Sequence, residues 1–346
     1  LGCGRTAFAI SAGSDHTCAI LDDSSWTCFG HDYNGALGNG PGQSDSSVPG
    51  TVLGGFTWST STGSNSGGSS STNALTPSVE GAELMVGDLM DDITFQYNAS
   101  AASGSGSGSS SSSSFAYANN KLSAGYQSTC AILDNGDLKC WGSDSYGQLG
   151  DGGGSMETNA PSSTAIDLGS GRTAVAVSAG EQHTCAILDN GELKCWGRDS
   201  EGQLGDGGSN MNTQAPPYSW AIDLGSGRTA VAVSAGSTHT CAILDNGDMK
   251  CWGWDSYGML GDGGSNDATT EPSSTAINLG TGRTAVTVAV GLQHTCAILD
   301  NGDLKCWGDD SNGQLGDGGS NADINAPSST AIDLGTGRTA VAVAVG

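Results

Sequence analysis

Basic residues are scarce in this chain. Its 11 lysines and arginines face 36 aspartates and glutamates, which gives a formal net charge of −25 at pH 7. All but two of the basic residues, Lys121 and Arg198, recur at fixed positions of a repeat. No basic patch is left to follow a phosphate backbone, and an acidic surface repels one. We therefore expect no nucleic-acid partner.

Long apolar runs are also missing. No stretch approaches the roughly 18 residues that a membrane helix needs, so we expect no membrane insertion. Residues 1–13 match residues 168–180 and carry no secretory signal. We therefore expect the chain to be a mature or trimmed piece of a longer precursor.

Known catalytic motifs are absent from the sequence as well. It contains no G-x-S-x-G elbow, no P-loop and no H-E-x-x-H, and no unique nucleophile stands beside a base. We expect that the chain is not an enzyme. The competing hypothesis places a catalytic group in the non-repeating stretch or in one diverged loop.

What the chain does contain is one segment written five times. Its fullest copy is SAGEQHTCAILDNGELKCWGRDSEGQLGDGG, at residues 178–208. The last four copies recur every 55 or 56 residues, and the first lies 112 residues before the second. A fixed period of this size predicts an array of similar supersecondary units.

Each copy holds two cysteines with nine residues between them. A turn such as Asp189–Gly191 lies midway, so the two cysteines should face each other across a hairpin. Regular cysteines favour disulfides and an exported protein, whereas zinc knuckles usually have two residues between ligands. The predicted pairs are Cys18–Cys28, Cys130–Cys140, Cys185–Cys195, Cys241–Cys251 and Cys296–Cys306. Cys3 has no partner in this pairing scheme, so it either forms an intermolecular bridge or remains a buried or free thiol.

The unit reads as four strands. TAVAVSAG at 173–180 predicts a first strand, the cysteine hairpin supplies two more, and STAIDLG at 163–169 predicts a fourth. Four strands in about 55 residues describe a propeller blade. The residues HTCAILDNGELKCWGRDSEGQLGDG also resemble the repeat of the regulator-of-chromosome-condensation family, specifically its secreted, cysteine-paired microbial surface members.

That resemblance implies a β-propeller. We predict an all-β fold of six to seven four-stranded blades, with disulfide-stapled hairpins and one divergent or inserted region. Residues 1–55 are predicted to form a first blade, and residues 116–346 four further blades with a surplus first strand. Residues 56–115 are predicted to be a Ser/Gly-rich insert. The insert either replaces one whole blade, or its length matches that of a blade by coincidence. The surplus strand, 339–345, would close the ring, pair with another molecule, or mark a truncated array. Asn98 begins a glycosylation sequon.

Several repeated residues are candidates for chemistry. The histidines before Thr-Cys are interpreted as residues whose side chains make a hydrogen bond that holds the turn after the first strand. The tryptophans of the W-G sequence are interpreted as core residues of the blades. The L-G-D-G-G aspartates are interpreted as turn formers, with a calcium site as the alternative; these are Asp151, Asp206, Asp262 and Asp317. Tyr146, Tyr218 and Trp254 differ between repeats and are candidates for a binding face.

Two functions follow from this pattern. The first is a non-enzymatic structural or adhesive protein, extracellular or at the cell surface, that assembles head-to-tail into a fibre; its partners would be its own copies or surface proteins and glycans. The alternative is a monomeric secreted module that captures a protein or glycan on one propeller face. Neither requires a cofactor, apart from the calcium alternative.

Overall fold

A computed structural model describes residues 7–21, 25–40, 45–52, 121–154, 156–208, 210–264 and 267–346. They belong to one compact unit formed by residues 1–59 and 115–346. A second unit, residues 60–114, lies outside the described residues. The predictions for the insert 56–115, for Asn98 and for Cys3 also fall outside them.

The described elements are short strands with a single 3-10 turn. Blade 1 contains β1 (Ala7–Ala12), β2 (His16–Leu21), β3 (Trp26–Gly30), the 3-10 turn Tyr33–Gly35 and β4 (Ser46–Thr51). Blade 2 contains β5 (Leu122–Ala124), β6 (Ser128–Ile132) and β7 (Leu138–Gly142); blade 3 contains β8 (Ala174–Ala179), β9 (His183–Leu188) and β10 (Leu193–Gly197). Blade 4 contains β11 (Ala230–Ala235), β12 (His239–Leu244) and β13 (Met249–Gly253); blade 5 contains β14 (Ala285–Val290), β15 (His294–Leu299) and β16 (Leu304–Gly308). No helix among these residues is long and apolar enough to cross a membrane.

Each sheet is antiparallel and follows the order of the chain. The register of the hairpin places the two cysteines of a blade opposite each other, as Cys185 and Cys195 are. A disulfide joins them in each of the five described blades, with Cα atoms 4.1 Å apart. The predicted disulfide-stapled hairpins are therefore confirmed.

The predicted fourth strand is wrong for four of the five described blades, whose sheets have three strands. In blade 3 the fourth segment meets β10 at two points only, where Thr213 bridges Gly197 and where the Ile222 amide donates to the Leu193 carbonyl over 2.9 Å. Pro216 and Pro217 lie between these points and have no N–H to donate to a ladder. A proline occupies the same stretch in the other three blades, at Pro161, Pro272 and Pro327.

The core lies between neighbouring blades. Ile187 and Leu193 of blade 3 pack with Leu244 and Trp252 of blade 4 in one buried cluster. First strands of adjacent blades also lie side by side, and the Ser178 hydroxyl accepts a hydrogen bond from a backbone amide of β11. Five blades are described, so the predicted count of six to seven is not tested.

The surplus first strand is not a strand in the structure. Residues 339–346 lie against blade 5, where the Leu292 amide donates to the Gly346 carbonyl over 3.2 Å and the Ala340 amide to the Gly302 carbonyl over 2.9 Å. They have no described second strand beside them, and without a ladder partner an extended segment is not a sheet strand.

Candidate binding face

A hydrogen-bonded joint of four residues connects blades 3 and 4. The carbonyl of Gln203, in a loop of blade 3, accepts hydrogen bonds from the Thr240 hydroxyl at 2.9 Å and from the Trp252 indole at 3.0 Å. His183 of blade 3 places its Nε2 2.8 Å from the same hydroxyl. At the other three described joints the carbonyls of Ala36, Gln148 and Met259 accept hydrogen bonds from the equivalent threonine hydroxyl and tryptophan indole.

This joint corrects the role predicted for the histidine side chains. The turn after the first strand is closed by the backbone of His183, whose carbonyl accepts from the Gly180 amide over 2.9 Å. The side chain reaches the next blade instead. The prediction that the W-G tryptophans form the core is confirmed, since Trp141, Trp196, Trp252 and Trp307 are all fully buried.

The joint histidines are neutral at physiological pH. Burial lowers the pKa of His183 and of His239 to about 3. Burial also lowers the pKa of His16 to about 4, although the Asp15 carboxylate opposes the shift. Such imidazoles do not exchange protons near pH 7, which suits a structural role rather than acid–base chemistry.

A repeated aspartate that the sequence analysis did not single out holds the loop after the third strand. Asp199 accepts the Leu204 amide through Oδ1 at 2.9 Å, and its other oxygen is buried without a partner among the described residues. Burial raises its pKa to about 6, and the equivalent Asp144 and Asp255 have the same value. The sequence contained this signal, because an aspartate precedes the leucine of G-Q-L-G, or of G-M-L-G in blade 4, by five residues in these copies.

The aspartates considered for calcium form turns. Asp206 Oδ1 accepts a hydrogen bond from the Gly208 amide at 2.7 Å. In the same way, Oδ1 of Asp151, Asp262 and Asp317 accepts a hydrogen bond from the amide of the glycine two residues later. Within the described ranges no three His, Cys, Asp or Glu side chains converge as metal ligands would.

Most basic side chains are used inside the blades or beside the hairpin turns. Lys194 is buried, and its ammonium donates to the carbonyls of Leu168 and Pro217 at 3.0 and 2.6 Å. Arg172 pairs with Asp189 at 3.2 Å at the turn between β9 and β10. Equivalent pairs are Arg228–Asp245 and Arg283–Asp300.

The end of the blades opposite these hairpin turns, called the loop face here, has several positions at which the copies differ. It consists of the turns between first and second strands and the loops that follow the third strands. The residue directly after the third strand donates its amide to a carbonyl of the neighbouring turn in all five blades. In chain order these residues are His31, Ser143, Arg198, Trp254 and Asp309.

Two aromatic arrangements stand on the loop face. The guanidinium of Arg198 lies 5.4 Å from the ring centre of Tyr146 in the preceding blade. Trp254 and Tyr257 form an edge-to-face pair with ring centres 6.1 Å apart. Tyr218 is 67% exposed but lies between Thr213 and Ile222 on the outer edge of blade 3, so the structure does not bring it to this face.

Known proteins share this repeat. Two models of the regulator of chromosome condensation (RCC1) repeat match the chain, one at 120–148, 174–203, 230–258 and 285–314, the other at 135–187, 190–243 and 246–298. Together the matches run from residue 120 to residue 314, more than half of the chain. The Ultraviolet-B receptor UVR8 of Arabidopsis thaliana is 30% identical over 60% of this chain and 44% of its own length. The human E3 ubiquitin-protein ligase HERC2 is 31% identical over 54% of this chain and 4% of its own length.

Solved structures share the fold. Human WBSCR16 superposes with a TM-score of 0.70 at 17% identity, covering 99% of this chain and 70% of that one. Yeast RCC1 (Prp20), solved with Kap60, gives 0.64 at 16% identity over 93% and 63%. The chain spans less than half the length of the curated relatives that it matches. With this fold and these repeat matches, the chain belongs to the RCC1 repeat family and has its β-propeller architecture.

Proposed function

We propose that the chain is a non-enzymatic binding module that captures a protein or glycan partner on its loop face. One observation carries the proposal: repeated residues are used in joints, turns and disulfides, whereas the loop face has several positions at which the blades differ. A rigid scaffold that presents variable loops is a common arrangement for recognition.

The composition of the loop face supports this role. Tyr126 and Leu292 stand at the turns of blades 2 and 5 and are 41% and 56% exposed. Trp254 and Tyr257 add two aromatic rings in blade 4. Exposed aromatic and apolar side chains with polar neighbours are typical of binding surfaces.

An extracellular or cell-surface location remains part of the proposal. Five disulfides in the described blades favour an oxidising compartment. The structural, fibre-forming role expected from the sequence stays a prediction, because no contact among the described residues bears on self-assembly.

The proposal is tested by binding of the labelled full chain to a mixed array of peptides and glycans. A loop-face variant, Tyr126→Ser with Leu292→Ser, is compared with a variant at the hairpin turns of the opposite end, Arg172→Ser with Arg228→Ser, called the hairpin-face variant. We expect array members that bind the wild type and the hairpin-face variant but not the loop-face variant. Binding lost equally in both variants, or no binding at all, would contradict the proposal.

A further inference from the structure

The molecule contains its own example of a cation on an aromatic ring. Tyr146 belongs to the sequence Asp-Ser-Tyr-Gly in the loop of blade 2, and the guanidinium of Arg198 from blade 3 covers its ring. Arg198 is fixed there by hydrogen bonds to Gln182 Oε1 and to the Ser200 hydroxyl. A guanidinium over a tyrosine face is attracted by the negative potential of the ring.

Blade 4 repeats this loop without its cation. The same sequence, Asp-Ser-Tyr-Gly, recurs at 255–258, and Gly258 packs against the backbone of Asn325 in blade 5 as Gly147 packs against Gln214 in blade 3. Blade 5 has Asp309 at the position of Arg198, and within the described part of the chain no guanidinium lies over Tyr257.

A carboxylate residue therefore occupies the sequence position of the guanidinium, and Asp309 is 6% exposed. Asp309 accepts hydrogen bonds from the Ser311 amide and hydroxyl at 2.9 and 3.2 Å and from Gln314 Nε2 at 2.9 Å. Burial alone would raise its pKa, but these hydrogen bonds outweigh it and hold the pKa below its usual value, so Asp309 carries a negative charge.

Trp254 completes the surroundings of the uncovered ring. It lies edge-to-face with Tyr257 and is only partly buried. Within the described residues, its indole N–H and the Tyr257 hydroxyl make no hydrogen bond to the protein. Tryptophan is the aromatic residue that attracts cations most strongly.

We infer that Trp254, Tyr257 and Asp309 form a receptor for an arginine side chain of a basic peptide segment in a partner protein. The partner would supply the guanidinium that blade 5 lacks, stacked on the aromatic pair and attracted by the carboxylate. The net charge of −25 favours the approach of such a segment. The inference rests on the proposed function, since it names the chemistry of the partner that the loop face takes.

The test uses the full chain and a fluorescein-labelled tetra-arginine peptide, followed by anisotropy at about 0.15 M salt, where long-range attraction is screened. A tetra-citrulline peptide of the same shape without charge is the ligand control. We expect tighter binding of the arginine peptide and a loss of about fivefold for Trp254→Ala, the size of one cation–π contact. Trp254→Ala leaves the net charge unchanged, so general attraction to an acidic protein survives in the variant.

Trp220→Ala is the matched control, because Trp220 is 40% exposed on the outer edge of blade 3; it should bind like the wild type. Tyr257→Leu is the second variant, for use if Trp254→Ala fails to fold. It keeps apolar bulk but removes the aromatic ring, and it should weaken binding of the arginine peptide. Equal binding of the two peptides, or wild-type affinity in Tyr257→Leu, would overturn the inference. If neutral array members still bind through Tyr126 and Leu292, the proposed function stands without it.

Discussion

The imidazole Nε2 of His183 lies 2.8 Å from the hydroxyl of Thr240, which is 57 residues later and one blade away. The Thr240 hydroxyl in turn donates to the Gln203 carbonyl of the first blade in the pair. One threonine therefore connects two segments of its neighbour. This arrangement explains why the His-Thr-Cys sequence recurs, since His16, His183 and His239 each meet the threonine of the next described blade. Blade 2 has Ser128 at the histidine position.

Removing this hydroxyl should destabilise the protein. Thr240→Val keeps the shape of the side chain but leaves buried polar groups without a partner, which costs about 1–3 kcal/mol of the free energy of unfolding. Urea denaturation followed by tryptophan fluorescence measures the change. The same substitution at the exposed Thr275 serves as control and should cost less than about 0.5 kcal/mol. Equal effects at the two sites would contradict the joint.

Acid should weaken the joints through their histidines. The unfolded imidazole binds a proton near its ordinary pKa of about 6.5, whereas folded His183 does so only near pH 3, so stability falls as the pH drops between these values. We expect His183→Gln to reduce the slope of unfolding free energy against pH, between pH 6 and 4, by about 1 kcal/mol per unit. Thr275→Val, which removes no titratable group, should keep the wild-type slope. An unchanged slope in His183→Gln would argue against a buried neutral imidazole.

The buried loop aspartates should act in the opposite direction. The folded pKa of Asp199 is raised to about 6, so the stability it contributes is present at low pH and declines as the pH rises from about 4 through 6. Asp199→Asn keeps the acceptor for Leu204 without the charge. Its stability relative to wild type should therefore increase by about 1–2 kcal/mol between pH 4 and 8, after allowance for solvent screening. The exposed Asp223→Asn is the control, and a pH-independent difference for Asp199→Asn would contradict the assignment.

Each disulfide should stabilise one hairpin. Cys185→Ala with Cys195→Ala opens a short loop, so we expect a loss of about 2–3 kcal/mol, to which lost packing of the sulfur atoms adds. The variant should retain the circular dichroism of the wild type, because four disulfides remain. Thermal unfolding with and without reductant provides the comparison. A wild-type protein whose unfolding is insensitive to reductant would contradict this account.

The sequence predicted the parts of the fold that depend on local pattern. The spacing of Cys185 and Cys195 around one turn predicts their pairing, and the alternation in 173–180 predicts the first strand within a residue or two. The same local reasoning was wrong for the fourth strand. Segments such as Ser219–Gly225 have strand-like composition, but Pro216 and Pro217 before them interrupt the ladder.

Contacts between repeats could not be predicted from one copy. The side chain of His183 was assigned to its own turn, because its partner Thr240 belongs to another blade and only the packing of blades brings them together. For the same reason the relation of Tyr146 to Arg198 was not visible, although Tyr146 and Trp254 were identified as variable residues. Differences between copies indicate which positions are candidates for binding. Only the packing of the blades determines which of these variable residues contact each other.

Hydrogen–deuterium exchange of the full chain, alone and with the array member that it binds most tightly, tests the central claim most directly. A partner on the loop face should slow exchange in the turns at 180–182 and 236–238 and in the loop at 254–258. The hairpin turns at 189–191 and 245–247 should exchange as they do in the free protein. Protection confined to those hairpin turns would contradict the account.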